Sequence, residues 1–374
     1  MRFVLFCHSL VSDWNHGNAH FLRGVVRELR ARGHAVRVYE PHDGWSRTNL
    51  LAERGEAAIR RFEDAFPGLR SIEYDADGLN LDAALAGADV VIVHEWTDPA
   101  LVARIGAHRA RGGRYRLLFH DTHHRSVSEP ESMAGFDLDG FDGVLAFGEA
   151  VREVYLRRGW ARQVWTWHEA ADVALFHPLP ATGRDGDLVW IGNWGDEERS
   201  EELAAFLLAP IRRLGLRARI YGVRYPEDAR RALHEAGAAY GGWLANADVP
   251  ATFARHGVTV HVPRRYYTTL LPGIPTIRVF EALACGIPLV CAPWDDAEGL
   301  FRPGRDYLVA WNGGAMAHAL RAVLADRDLA AELARSGLAT VRARHTCAHR
   351  VEELLAICRH LGAGEPEPIA AGAA

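Results

Sequence analysis

Gly273-Ile-Pro-Thr-Ile-Arg-Val-Phe-Glu281-Ala-Leu-Ala-Cys-Gly286-Ile-Pro-Leu-Val-Cys-Ala-Pro293 reads as a loop, a helix, a glycine stop and a short buried strand. The helix carries one acid, Glu281, among Phe280, Ala282, Leu283 and Ala284. Burying a lone carboxylate is costly unless hydroxyls or a cation meet it. A helix followed directly by a buried strand is half of a βαβ unit, and the rest of the chain repeats that rhythm.

Outward from this stretch, short apolar runs alternate with amphipathic ones. In the first half the expected strands are 2–8, 35–40, 70–75, 89–95, 115–121, 143–148 and 163–168, with helices at 18–32, 98–110 and 149–158 between them. The pattern starts over at Leu188-Val-Trp-Ile-Gly192, with strands near 217–222, 258–263, 288–292 and 306–311. The fold class is therefore α/β, with two doubly wound parallel sheets. The join is expected in the loop holding Pro178, Pro180, Gly183 and Gly186. The resulting domains are 1–178 and 179–346, with a helix over 347–362 long enough to cross between them and a disordered tail, 363–374.

The 374 residues suffice for two ordinary cores, and a charge of −5 gives no reason to expect a nucleic-acid partner. All 43 basic residues are Arg. A Walker P-loop and a pyridoxal Schiff base both need Lys, so both are excluded. The five cysteines lack a CxxC and suit free thiols in a reducing cytoplasm. The sequence opens in a strand without signal-peptide features and carries no apolar run of membrane length, which leaves only peripheral membrane association open. The first strand-to-helix turn, His8-Ser-Leu-Val-Ser-Asp-Trp-Asn-His-Gly17-Asn18, is not GxGxxG, so a bound dinucleotide is not expected.

Ligands of doubly wound sheets sit beyond the carboxyl ends of the strands. In the second half those ends offer Gly192-Asn193-Trp194-Gly195 with Arg199, then Gly222-Val-Arg224, then Pro275-Thr276-Ile277. Glycines let backbone approach a diphosphate, a helix N-terminus supplies N–H groups, and Arg199 or Arg224 would neutralise the remaining charge. Thr276 could cap its helix or meet a phosphate, and Glu281 could accept from ribose hydroxyls. The structural alternatives are a Glu281–Arg278 ion pair, and for Arg199 an ordinary pairing with its acidic neighbours.

The second half resembles the nucleotide-sugar domain of retaining GT-B glycosyltransferases of the family 4 kind (glycosyl transferases group 1), most closely the CgeB-like branch. Val164-Trp-Thr-Trp-His-Glu-Ala-Ala-Asp172-Val-Ala-Leu-Phe176-His-Pro178 resembles their crossover segment. Of the family's two acids eight positions apart, Glu281 matches the second, while Gly273 stands at the first. Asn193 stands near the position of a phosphate-binding Arg, with Arg199 the best replacement for its partner Lys. The resemblance implies a GT-B fold, two Rossmann-like domains facing across a cleft, and retaining transfer from a nucleotide sugar without a metal or other cofactor.

The first half gathers histidines at strand ends. His8, His94 with Glu95, and His120-Asp121-Thr122-His123-His124 follow successive strands, and Asn15, His16 and Asn18 open the first helix. These are the expected acceptor-side groups. The resemblance makes His120 the first catalytic candidate, with Asp121 second. A zinc reading of His94, His120, Asp121 and His123 competes, but the spacing is not that of a helical HExxH. Asp75-Ala-Asp77 and Asp137-Leu-Asp139 read as solvated loop acids rather than metal-holding pairs. The expected function is sugar transfer to a small-molecule, glycan or peptide acceptor. A nucleotide-sugar epimerase and a catalytically silent nucleotide binder are the alternatives.

Overall fold

A computed structural model describes residues 1–180, 183–195 and 198–363. Seven strands form the first sheet: β1 (Arg2–Phe6), β2 (Ala35–Pro41), β3 (Ile72–Tyr74), β4 (Val90–His94), β5 (Arg116–Asp121), β6 (Gly143–Ala146) and β7 (Val164–Thr166). They run parallel in the order β3-β2-β1-β4-β5-β6-β7. β4 is buried at every residue, as a strand covered by helices on both faces must be.

The second sheet holds β8 (Gly186–Ile191), β9 (Ala218–Tyr221), β10 (Ala238–Gly242), β11 (His256–His261), β12 (Leu289–Cys291) and β13 (Leu308–Val309). Its parallel order is β10-β9-β8-β11-β12-β13. Two doubly wound sheets are therefore present, as a GT-B fold requires. Gly186, expected in the linker, instead starts β8, where its Cα packs against Arg217 and His256 too closely for a side chain. The sequence reading also missed β10. Ala-Ala-Tyr-Gly-Gly has little strand propensity, and its place is a sheet edge with a register shift after Tyr240.

The opening stretch folds as expected locally. Thr276 precedes the Ile277–Cys285 helix, and Gly286 ends it at φ 68°, the left-handed turn that favours glycine. This helix is buried almost all round, because it lies between its own sheet and the first helix, Asn18–Ala31. The first helix buries Phe21, Val25, Val26 and Leu29 on one face. The last helix, Cys347–His360, returns across that face. A methyl on Gly24 would lie 2.4 Å from Cys347 Sγ, so the two helices meet backbone to side chain at a glycine. Trp167 Nε1 donates to the Arg350 carbonyl at 2.8 Å and fastens the crossover segment to the same helix.

One apolar core accordingly runs through the junction, including Phe21, Trp167, Phe176, Phe280, Leu283 and Val351. The five cysteines are free and buried. Among the described residues no helix is long and apolar enough to cross a membrane. Apart from Ala363, the expected tail lies outside the described residues.

Candidate functional site

Where the carboxyl edges of the two sheets face each other lies a cavity of about 530 Å³. The tips of β1, β4 and β5 supply His8, His94, Trp96 and Thr122 to His124 on one wall. On the other, the tips of β8, β9 and β11 supply Gly192, Asn193, Gly222 to Arg224, and His261 to Arg264, with Thr276, Ile277 and Arg278 from the opening stretch. A Cβ on Gly222 (φ 154°) would stand 2.1 Å from the Gly192 carbonyl, so these two tips touch backbone to backbone.

The second-half wall is cationic. Arg199, Arg224, Arg264 and Arg278 all line the cavity. Arg199 is half-buried, donates to the main-chain carbonyls of Asn193, Trp194 and Val262, and lies over the Trp190 ring. Burial lowers its pKa only to about 10, so it stays charged at neutral pH. Among the described residues, its acidic neighbours Glu198, Glu201 and Glu202 are not its hydrogen-bond partners. Arg264 pairs with Glu198 at 3.2 Å, and Arg224 lies 5.9 Å from the Trp45 ring centroid. Asn193 bonds Asn15 across the cleft and accepts from the Val223 N–H at 3.1 Å. The Thr276 side chain does not cap its helix; its hydroxyl meets His261 Nε2 at 3.2 Å.

The first-half wall is rich in aromatic rings and neutral imidazoles, with Asp13, paired with Arg23, and Glu129 as its acids. Burial lowers His8 to about 4, lowers His16, His94 and His123 well below 6.5, and lowers His124 to about 4. Where the walls meet sits Glu169, whose Oε1 accepts from Asn18 Nδ2 at 3.0 Å. Burial raises its pKa to about 7, opposed by Asn18 and by the Ile277 amide at the helix N-terminus.

Most expected site residues line this cavity together: His8, Asn15, His16, Asn18, His94 and His123, and Gly192, Asn193, Arg199, Arg224, Thr276 and Ile277. Four do not. His120 and Asp121 still lie within β5, paired in register with His94 and with Leu145 and Ala146, so the exposed tip begins at Thr122. His120 packs against Trp167 and Phe21 behind His94, and Asp121 accepts from the Tyr155 hydroxyl at 2.9 Å and the His123 N–H at 3.0 Å. Glu95 turns inward to Arg125, at 2.9 Å, and to Thr122.

Glu281 faces the first helix rather than the cavity. It accepts from His20 Nδ1 at 3.0 Å and pairs with Arg278. His20 Nε2 accepts the Asp172 N–H at 2.8 Å, which fixes the proton on Nδ1. Burial pushes the Glu281 pKa up, yet Arg278 and His20 hold it below the usual range. Its partners are thus the ion pair the sequence offered and a histidine from the other half of the chain.

The sequence reading missed Trp45, Trp96, Glu169, Arg264 and Arg278 as cavity residues. Arg264 could have been found, since it follows β11 as Arg224 follows β9. Among the described residues, no three of His, Cys, Asp and Glu gather as metal ligands. The aspartate pairs form exposed turns, Asp75 Oδ1 accepting from the Asp77 N–H and Asp137 Oδ1 from the Asp139 N–H.

Residues 199–356 match the family model described as glycosyl transferase-like. No curated protein matches the chain. Among solved structures, the sucrose-phosphate synthase of Thermosynechococcus elongatus is 17% identical with a TM-score of 0.67, over 98% of this chain and 100% of that one. HepE of Anabaena, solved with UDP and glucose, is 14% identical with a TM-score of 0.67, over 96% and 99%. An alpha-glucosyltransferase solved with UDP and a 13-mer DNA is 13% identical with a TM-score of 0.70, over 96% and 99%. At such identities the likeness carries the fold.

Proposed function

We propose that this glycosyltransferase, GT-B in fold, moves a sugar from a nucleotide diphosphate sugar to an acceptor hydroxyl held on the opposite wall. The observation that carries the reading is the division of one cavity into an arginine-lined wall and a neutral, histidine-rich one. Departure of a nucleoside diphosphate leaves negative charge behind. Preplaced guanidinium groups in a partly dry cleft stabilise it more in the transition state than in the ground state. Arg278 suits this role best, because Glu281 fixes one end of its guanidinium while the residue still reaches the cavity. Arg199 is committed to three carbonyls and acts mainly by holding the Asn193 loop, its charge adding to the field.

The reaction is metal-independent and retaining in this reading, with attack on the face the diphosphate leaves. The family 4-like, CgeB-like resemblance supports retention, and the arginine set supports a charge balance without a metal ion. The buried free thiols suit a reducing cytoplasm. In solution, a thermal-shift panel of UDP-, GDP-, ADP-, CDP- and dTDP-sugars tests the donor. A ligand of the folded state adds about 2.7 kcal/mol at a hundredfold excess over Kd. Silence across the panel overturns the reading; nucleotide binding without hydrolysis or transfer would leave a binding protein.

A further inference from the structure

Trp96 is 43% exposed and lines the cavity, an expensive setting for an indole without a use. It is also held rigidly. The Arg125 guanidinium lies 4.1 Å from its ring centroid and is itself clamped by Glu95, through the carboxylate at 2.9 and 3.2 Å and the main-chain carbonyl at 2.6 Å. One ring face is thereby backed by a fixed guanidinium, and the exposed remainder is presented to the cleft. The buried Glu95–Arg125 pair acquires a purpose from this, since it orients the indole.

Next to Trp96 stands His8, with ring centroids 6.0 Å apart, and beyond His8 stands Trp45, at 6.4 Å and 45% exposed. Trp45 is braced edge-on by Trp14 at 5.0 Å. Among the described residues the His8 ring makes no hydrogen bond, although its neighbour His16 makes one and His94 makes two. Its pKa of about 4 leaves one nitrogen donating and the other accepting at neutral pH. Two braced indoles with an uncommitted neutral imidazole between them combine apolar faces with a bifunctional hydrogen-bonding group.

We infer that Trp96, His8 and Trp45 form the acceptor subsite and that its occupant is an uncharged pyranose ring. A pyranose has one face of C–H groups that packs on an indole and a rim of hydroxyls that both donate and accept. A free carboxylate or phosphate at the His8–Trp96 end of the subsite meets no cation, because Arg125 lies behind the indole and is paired with Glu95; the cation near the subsite is Arg224 of the opposite wall, 5.9 Å from the Trp45 ring centroid. The inference deepens the proposed transfer reaction and rests on it for the direction of attack: an acceptor hydroxyl here faces the arginine wall.

The test uses the full chain and saturation-transfer NMR. Methyl hexopyranosides and gluco-, galacto- and manno-disaccharides at millimolar concentration are compared with hydroxyaryl compounds such as tyrosine amide. Saccharide binding is expected, with the strongest transfer to the C–H protons of one ring face. Trp96→Ala should weaken it by about tenfold, while Trp96→Phe, which keeps a flat ring, stays within about threefold. His8→Ala should cost a similar factor with nucleotide binding unchanged. Nucleotide-sugar binding and thermal unfolding of each variant establish that it is folded.

Nucleotide binding without saccharide binding overturns the subsite. So does equal saccharide affinity in Trp96→Ala, or binding of hydroxyaryl compounds alone. If Trp96→Ala does not fold, His8→Ala and Trp96→Phe decide the matter by the same criteria. Failure of every nucleotide sugar to bind, with saccharides still bound at Trp96, sinks the transfer reading and spares the subsite.

Discussion

The two walls of the cleft are built by the same device and made of opposite materials. Each is the carboxyl edge of a parallel sheet, with side chains presented from strand tips. The second-half wall collects arginines and backbone glycines; the first-half wall collects neutral imidazoles and indoles. The difference shows that topology chooses where a ligand sits, and tip residues choose its charge. A diphosphate is attracted to one wall and finds no cation on the other. A sugar ring finds exposed indoles, Trp45 and Trp96, on the first-half wall.

The seam between the walls gives the sharpest test. Glu281→Ala should destabilise the fold by about 3–5 kcal/mol, because it leaves Arg278 without its buried partner and strips His20 of its acceptor. Urea unfolding checks this. Unchanged stability with lost nucleotide affinity would return Glu281 to a ribose contact and dissolve the seam. On the cationic wall, Arg278→Gln should lower kcat by roughly 10²–10³ in the fraction that remains folded, and should also lower stability, because the buried Glu281 loses its counter-charge. An unchanged kcat would move the phosphate role to Arg264 or Arg224.

On the neutral wall the test is pH. The folded state holds His8 and His124 of this wall, and His120 behind it, uncharged, with pKa values of about 4, 4 and 3. Unfolded histidine titrates near 6.5. The stability these residues confer is therefore complete above about pH 6.5 and is lost as pH falls toward 4. Denaturant midpoints at pH 7 and pH 5 measure it, and His120→Gln should flatten the slope. Glu169 has the opposite sense: with a pKa of about 7, it is protonated below neutrality and charged above it. Nucleotide-sugar affinity should weaken, by up to about tenfold, as pH rises from 6 to 8, since a second negative charge then faces the diphosphate at the Ile277 helix end. Calorimetric titration of Glu169→Gln should show no such trend.

Much of this was legible beforehand. β1, β4, β5, β8, β11 and β12 are central strands, and central parallel strands are continuous apolar runs that the sequence displays openly. The strand-tip rule found His8, His94, His123, Gly192, Asn193 and Arg224 without any knowledge of packing. His120 and Asp121, which the family resemblance singled out, end β5 within the expected strand 115–121 and do not line this cavity, whose lining from β5 starts at Thr122. Glu281 failed for a different reason: spacing assigns a residue to a helix, but which neighbour that helix face meets is settled by the partner helix, here through His20. Trp45, Trp96 and Glu169 carry no local signature at all. Their roles come from what lies behind or across from them.

The return of the last helix onto Gly24 has a consequence for biosynthesis. The first helix belongs to the part of the chain made early, yet the face it turns to Cys347 and Val351 is covered only by segments near the end of the described sequence. During synthesis the first sheet therefore carries an uncovered apolar flank until the Cys347–His360 helix is made, a vulnerability that domain-by-domain folding does not remove. Cutting the chain at the linker would not yield two independent halves. The first would lack its final covering layer and the second would carry a helix with nothing to cover.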